Sequence, residues 1–146
     1  MEFYFGGHHG EVDFKEGYFI KTGKKISGGA FVIDMNRMSD ESGEYENGLI
    51  SHLKDPDFFD VKLYQTSKLV FTNVIYYDST HMRINANLTI KDITLPIFFN
   101  AEVDFNKKQL TTRFKIDRTL WGITYNNKVK NDAISDAIAF QVTLKL

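Results

Sequence analysis

Apolar and polar residues alternate with a period of two over most of this chain. Between His81 and Lys91, the residues Met82, Ile84, Ala86, Leu88 and Ile90 interleave with His81, Arg83, Asn85, Asn87, Thr89 and Lys91. Successive side chains of a strand point to opposite faces, so this run predicts a strand with one buried and one wet side. The pattern returns in Leu95, Ile97, Phe99, Ala101, Val103 and Phe105, facing away from Asn100, Glu102 and Asp104. It returns again in Leu110, Thr112, Phe114 and Ile116, and last in Ile138, Phe140, Val142, Leu144 and Leu146. Alternation of this kind predicts antiparallel sheet, because strands of parallel sheets are buried on both faces and read as apolar throughout.

The first half is less regular. Residues 12–20 read as a strand interrupted at Gly17. Residues 29–35 read as another, with Phe31, Ile33 and Met35 on one side, and residues 61–64 lead into a strand over 69–77. Turns are expected at Gly28-Gly29, Asp78-Ser79 and Asn106-Lys107-Lys108. Pro96 lacks a backbone donor, which places it at a strand start, a bulge or a sheet edge. Residues 36–60 are acidic and turn-rich. Within them Leu49, Ile50 and Leu53 have helical spacing, predicting about two turns of helix near Gly48–Lys54, ended by Asp55-Pro56.

These elements predict an all-β, antiparallel, roughly eight-stranded up-and-down barrel with one short helix near 48–55, formed by residues 1–146 as one domain. Closure removes exposed strand edges, and a barrel of about eight strands has room for side chains or one small ligand. A β-sandwich is the alternative architecture. No long helix alternates with strands, which disfavours a βαβ fold.

Four segments carry a resemblance. Gly28-Gly29-Ala30-Phe31-Val32-Ile33-Asp34-Met35-Asn36 is similar to a strand motif of the YceI-like family. His52-Leu53-Lys54-Asp55-Pro56-Asp57-Phe58-Phe59-Asp60-Val61 closely matches that family's helix-end segment. Leu88 to Ile97 resembles its hairpin, and Phe114-Lys115-Ile116-Asp117-Arg118 with Trp121-Gly122-Ile123 resembles its Arg-Trp segment. The chain departs from the pattern in three places. Gln65 and Leu69 stand where the family has Pro and Phe, Asp92 replaces a turn Gly, and only Met1–Phe5 precede Gly6-Gly7. The resemblance implies a lipocalin-like barrel that binds polyisoprenoid or other long apolar chains, often as a dimer, without chemistry. The short first strand leads to the expectation that a strand from a second chain completes the barrel edge.

The inward rows then become candidate ligand contacts: Phe14, Phe31, Ile33, Met35, Phe71, Ile84, Leu88, Phe99, Phe114 and Phe140. The competing reading is that these residues only pack on one another, as in a dimeric structural domain. Burial of an apolar chain contributes about 0.8 kcal/mol per CH₂, so a binder of this kind needs no polar motif. Arg118 and Trp121 form a polar cluster. Its alternatives are a contact to a pyrophosphate or quinone head group at the barrel mouth and a brace for the rim.

Composition removes other classes. The 146 residues include 13 Phe, 7 Tyr and no Cys, with formal net charge −1. Without Cys there is no disulfide, thiolate catalysis or Cys-type zinc site. Without a basic excess, nucleic acid is not the expected partner. His8 and His9 are neighbours expected in a turn, His52 is expected to pack at a helix end, and no His spacing suits a metal. Asp55, Asp57 and Asp60 lack the Gly and Glu of a calcium loop and are expected to cap backbone N–H groups of a turn, with Phe58 and Phe59 plugging the barrel base. No nucleophile elbow, phosphate loop or dinucleotide fingerprint occurs. An enzyme of hydrophobic substrates would need ionisable groups converging inside the barrel, where the alternation puts apolar ones. The expectation is a non-catalytic binder of an isoprenoid or quinone-like chain, without cofactor or metal. It leaves room for transient membrane contact during lipid exchange and for a homodimer. Met1–Gly10 carries Glu2 and no basic segment, so it does not read as a secretory signal, and the compartment stays open.

Overall fold

The structure, a computed structural model, describes residues 1–5, 7–40, 48–124 and 135–146, with the backbone alone at Leu49. Eight strands follow one another around a closed barrel: β1 (Glu2–Phe5), β2 (His8–Thr22), β3 (Lys25–Asp40), β4 (Thr66–Tyr76), β5 (His81–Ile90), β6 (Ile93–Asp104), β7 (Gln109–Asp117) and β8 (Ala137–Lys145). Every neighbouring pair is antiparallel. Helix α1 (Gly48–Lys54) lies between β3 and β4, where the spacing of Ile50 and Leu53 predicts it, and both are buried. One turn of 3₁₀ helix, Arg118–Trp121, follows β7. Within the acidic stretch 36–60, residues 36–40 belong to β3 and residues 41–47 fall outside the described residues.

Closure corrects two expectations. The sandwich alternative is overturned, and β1 needs no strand from another chain. Its four residues pair on both sides, Phe3 opposite Gly10 of β2 and opposite Phe140 of β8. A strand this short suffices because both of its edges are satisfied within the chain.

Several local expectations also change. β2 is not interrupted at Gly17 but bends at register shifts between Val12/Asp13 and Phe14/Glu16. Gly17 stays in the strand because a Cβ there would lie 2.2 Å from Cδ1 of Phe31. Gly28 and Gly29 are inside β3, and the turn is at Gly23, whose φ of +64° suits glycine. Residues 61–64 form a turn, with Asp60 at φ +49° and the Tyr64 N–H donating to the Asp60 carbonyl at 2.8 Å. Phe105 leaves the inward row for the β6–β7 turn and is exposed. His8 and His9 open β2, and His9 stacks on Tyr4 with centroids 4.6 Å apart.

The wall has a seam. β6 pairs with β5 from Ile93 to Glu102, but with β7 only from Ala101–Thr112 to Asp104–Gln109. Pro96 sits on the unpaired edge of β6, which is where a residue without an N–H costs no ladder bond.

The two ends of the barrel differ. The turns of β2–β3, β4–β5 and β6–β7 lie at one, the hairpin end. At the other, the helical end, lie α1, the 55–63 segment and the 3₁₀ turn. Ile50, Leu53, Phe58, Trp121 and Ile123 are all buried there and close it.

Candidate functional site

The inward residues of the strands form one apolar cluster. Within it a cavity of about 70 Å³ runs from Met1 and Leu144 towards Leu53 and Phe59. Its wall is almost wholly hydrocarbon and aromatic. The polar exceptions are Ser67 and Thr112, and both spend their hydroxyl protons on the protein: Ser67 Oγ donates to Met35 Sδ at 3.1 Å, and Thr112 Oγ1 donates to the Asn100 carbonyl at 2.7 Å. A guest would meet no unsatisfied donor.

Phenylalanines from six strands make a continuous belt around this space. Phe14 and Phe19 meet Phe31, at 5.9 and 5.1 Å between centroids, and Phe31 meets Phe71 at 5.6 Å. Phe71 meets Phe99 at 6.1 Å, Phe99 meets Phe114 at 4.9 Å, and Phe114 meets Phe140 at 5.3 Å. Edge-to-face and offset contacts of this kind each contribute about 0.5–1.5 kcal/mol beyond area burial.

Of the residues singled out from sequence, Phe14, Ile33, Met35, Phe71, Leu88, Phe99, Phe114 and Phe140 line the cavity. Phe31 and Ile84 are buried but do not reach it. Phe31 is drawn aside over Gly17, where the missing side chain leaves room for its ring. Sequence reasoning missed Phe3, Phe5, Leu53, Phe59 and Leu69 as wall residues. Phe3 and Phe5 do alternate with Glu2 and Tyr4, and that signal would have found them.

Arg118 and Trp121 lie outside the cavity, at the helical end. Arg118 is fully buried. Its Nε donates to the Ser135 carbonyl at 3.0 Å, its Nη1 to the Ile123 carbonyl, and its Nη2 to Asp136 Oδ1 at 3.3 Å. The guanidinium lies over Phe58, 5.8 Å from the ring centre. Trp121 Nε1 donates to the Leu88 carbonyl at 3.0 Å. These contacts fit the bracing alternative, since the guanidinium donates to the Ile123 and Ser135 carbonyls. Phe58 and Phe59 do plug this end, and Phe58 meets Phe5 edge-on at 5.4 Å. The turn is tied by main chain, with the Phe58 and Asp60 N–H groups donating to the Asp55 carbonyl, both at 2.9 Å. His52 is exposed beside Asp55, 3.7 Å away, instead of packed. Among the described residues no three His, Asp or Glu side chains gather as metal ligands, and no helix is long and apolar enough to cross a membrane.

A family model, the YceI-like domain, matches residues 2–146. The chain belongs to the YceI-like family. Its barrel is similar to the crystal structure of Burkholderia cenocepacia BcnA, with TM-score 0.82 and 14% identity, over 97% of this chain and 92% of that one. It is also similar to the Campylobacter jejuni YCEI protein, with TM-score 0.69 and 17% identity over 93% and 83% of the two chains. A third likeness is to a polyisoprenoid binding domain from Saccharophagus degradans, with TM-score 0.56 and 11% identity over 92% and 95%. No curated protein matches. At these identities the solved structures establish the fold of this YceI-like chain. They agree with the closed barrel and its short helix.

Proposed function

We propose that this YceI-like barrel binds one long apolar chain, of isoprenoid or quinone type, along its axis and does no chemistry on it. The observation that carries the reading is the wall. Both of its hydroxyls are committed internally, and the rest offers only dispersion and burial to a guest. The polyisoprenoid-binding neighbour and the family support the same class of ligand. The residues proposed to touch the chain are Phe14, Ile33, Met35, Phe71, Leu88, Phe99, Phe114 and Phe140, with Leu69 and Leu110 added.

The cavity of about 70 Å³ is well below the roughly 300–1,000 Å³ of ordinary ligand sites, so loading must swing rings out of the belt. The energetics permit it. A few isoprene units bury enough CH₂ groups for about ten kcal/mol gross. Breaking two ring contacts costs roughly 1–3 kcal/mol. Association costs then take a share of the surplus.

That small volume favours a second reading, in which the domain keeps a solid aromatic core and acts through contacts between copies of itself. Native mass spectrometry separates the two. The binder shows a one-to-one adduct after incubation with a long-chain isoprenoid alcohol. The solid-core protein shows none at any excess, and its only heavier species is a dimer.

A further inference from the structure

We infer that the hairpin end of the barrel is a docking face for an anionic lipid bilayer. The inference rests on the lipid-binding reading only for its purpose; the surface itself is independent of it.

The charge along the barrel axis is uneven. At the hairpin end, Lys21, Lys24 and Lys25 flank the β2–β3 turn, Lys107 and Lys108 form the β6–β7 turn, and Lys145 ends β8; all are exposed. The acidic groups there are Asp78, Glu102 and Asp104, and Glu16 is set back along β2, opposite Val32. Asp78 and Asp104 are folded back onto their own turns. The Asp78 carboxylate accepts the N–H groups of Thr80 and His81, and the Asp104 carboxylate those of Asn106 and Lys107. At the helical end the bias reverses. Asp55, Asp57, Asp60, Asp92, Asp117 and Asp136 outweigh Lys54, Lys62, Lys91 and the buried Arg118 among the described residues. With a formal net charge of −1 the whole chain is neither acidic nor basic, so this separation is positional.

Apolar groups share the basic end. Tyr18 is 60% exposed, Ile20 52% and Phe105 50%, on the two hairpins that carry lysines, and Tyr77, 61% exposed, stands on the β4–β5 hairpin between them. Gly17 faces inward under Phe31, so its neighbours of opposite parity, Tyr18 and Ile20, point outward. The β2–β3 hairpin is also held firm where it projects. Past the last β3–β4 pair, Ala30–Val70, the Tyr76 hydroxyl accepts the Ile26 N–H at 2.7 Å and donates to the Ile26 carbonyl at 3.0 Å. Tyrosines with lysines around one rim suit the interfacial zone of a membrane, where rings sit at headgroup level and ammonium groups reach anionic phosphates. An acidic protein or nucleic acid would use the lysines but leave the aliphatic and aromatic groups without a role. A bilayer uses both, and it is the source of an apolar chain that enters a barrel whose other end is closed.

The test is co-sedimentation of the full chain with vesicles of phosphatidylcholine alone and vesicles containing one-third phosphatidylglycerol. Binding is expected to the anionic vesicles only, weakening with added salt. The triple variant Lys21→Glu, Lys24→Glu, Lys107→Glu should partition at least about tenfold less. Tyr18→Ser with Ile20→Ser should also weaken binding severalfold. Leu63→Ser with Leu120→Ser, exposed apolar residues at the helical end, should leave it unchanged. Circular dichroism checks that each variant keeps its barrel. No binding to anionic vesicles, or equal binding by the triple variant, overturns the inference. So does indifference to the Tyr18 and Ile20 changes, which marks a surface that reads charge alone. Isoprenoid uptake by the triple variant, followed by native mass spectrometry, keeps the two proposals apart. Uptake without vesicle binding by the parent chain sinks this inference alone, and vesicle binding without uptake sinks the lipid-binding reading alone.

Discussion

The rings of Phe99 and Phe114 stack 4.9 Å apart and within 19° of parallel, across the seam where β6 and β7 no longer pair. Backbone hydrogen bonds hold the rest of the wall, whereas here two side chains do. They also face the cavity. Here β6 and β7 can part beside the rings without breaking a ladder bond between them. Phe114→Ala should enlarge the cavity and raise the uptake of an apolar fluorophore. Phe99 is the more buried of the pair, and Phe99→Ala should cost about 3–5 kcal/mol, with Phe114→Ala costing less. Urea midpoints and dye titrations check both. Equal or weaker dye binding by Phe114→Ala would count against a ring gate.

Gly17 and Phe31 interlock. An added Cβ would lie 2.2 Å from Cδ1 and 2.8 Å from Cε1 of that ring, which sits in a crowded belt. Gly17→Ala should destabilise by about 1–3 kcal/mol through overpacking. In a Phe31→Leu background the same change should cost clearly less. A double-mutant cycle measures this, and additive effects would show that the contact is not the cause.

Arg118 and its partner Asp136 are unequal. The guanidinium is fully buried, while the Asp136 side chain is 67% exposed. Arg118→Ala leaves the Ile123 and Ser135 carbonyls without their donor and should cost about 2–5 kcal/mol. Asp136→Asn removes only an exposed charge and should cost under about 1 kcal/mol. Thermal unfolding of the two variants checks the ratio. Comparable losses would mean that the ion pair, and not the carbonyl contacts, holds the loop.

Much of the architecture is legible in the residue pattern. Strands from His81 onward alternate because each has one face in the core and one in water, with the exposed Phe98 as an exception, and α1 has its buried residues at helical spacing with Asp55-Pro56 after it. The first half is harder to read for a physical reason. Bulges in β2 shift the parity, so period counting finds a break at Gly17 where the strand continues. Glycines in β3 look like a turn but are there for space: a Cβ on Gly29 would lie 2.9 Å from the Tyr18 carbonyl oxygen. Val61 alternates like a strand residue, yet it belongs to a turn set by the left-handed backbone of Asp60. The site is legible more coarsely than the fold. Alternation tells which residues point inward, but not which of them are pulled aside, as Phe31 is. Nor does it tell that Arg118 meets the carbonyls of both Ile123 and Ser135.

Asp78 gives a pH signature. Backbone N–H bonding from Thr80, followed by its contact with His81, lowers its carboxyl from 3.8 to about 2. A depressed folded-state value means that the charged form stabilises the fold. That contribution is complete above about pH 4 and is lost as the pH falls towards 2. The melting temperature of Asp78→Ala should therefore lie below that of the parent at about pH 6, with the gap narrowing between about pH 4 and 2. A constant gap over this range would deny the carboxylate that role.

An apolar chain received inside the barrel, and not on its outer surface, has a distinct spectroscopic signature. Methyl-resolved NMR during titration with a long-chain isoprenoid reads it. The methyl signals of Ile33, Leu69, Leu88 and Val142, all on the cavity wall, should shift together and saturate at one equivalent. Those of Val70 and Ile75, exposed on the outside, should stay in place. Interior signals that do not move, or shifts confined to the exterior methyls, would mean that the barrel does not take the chain inside.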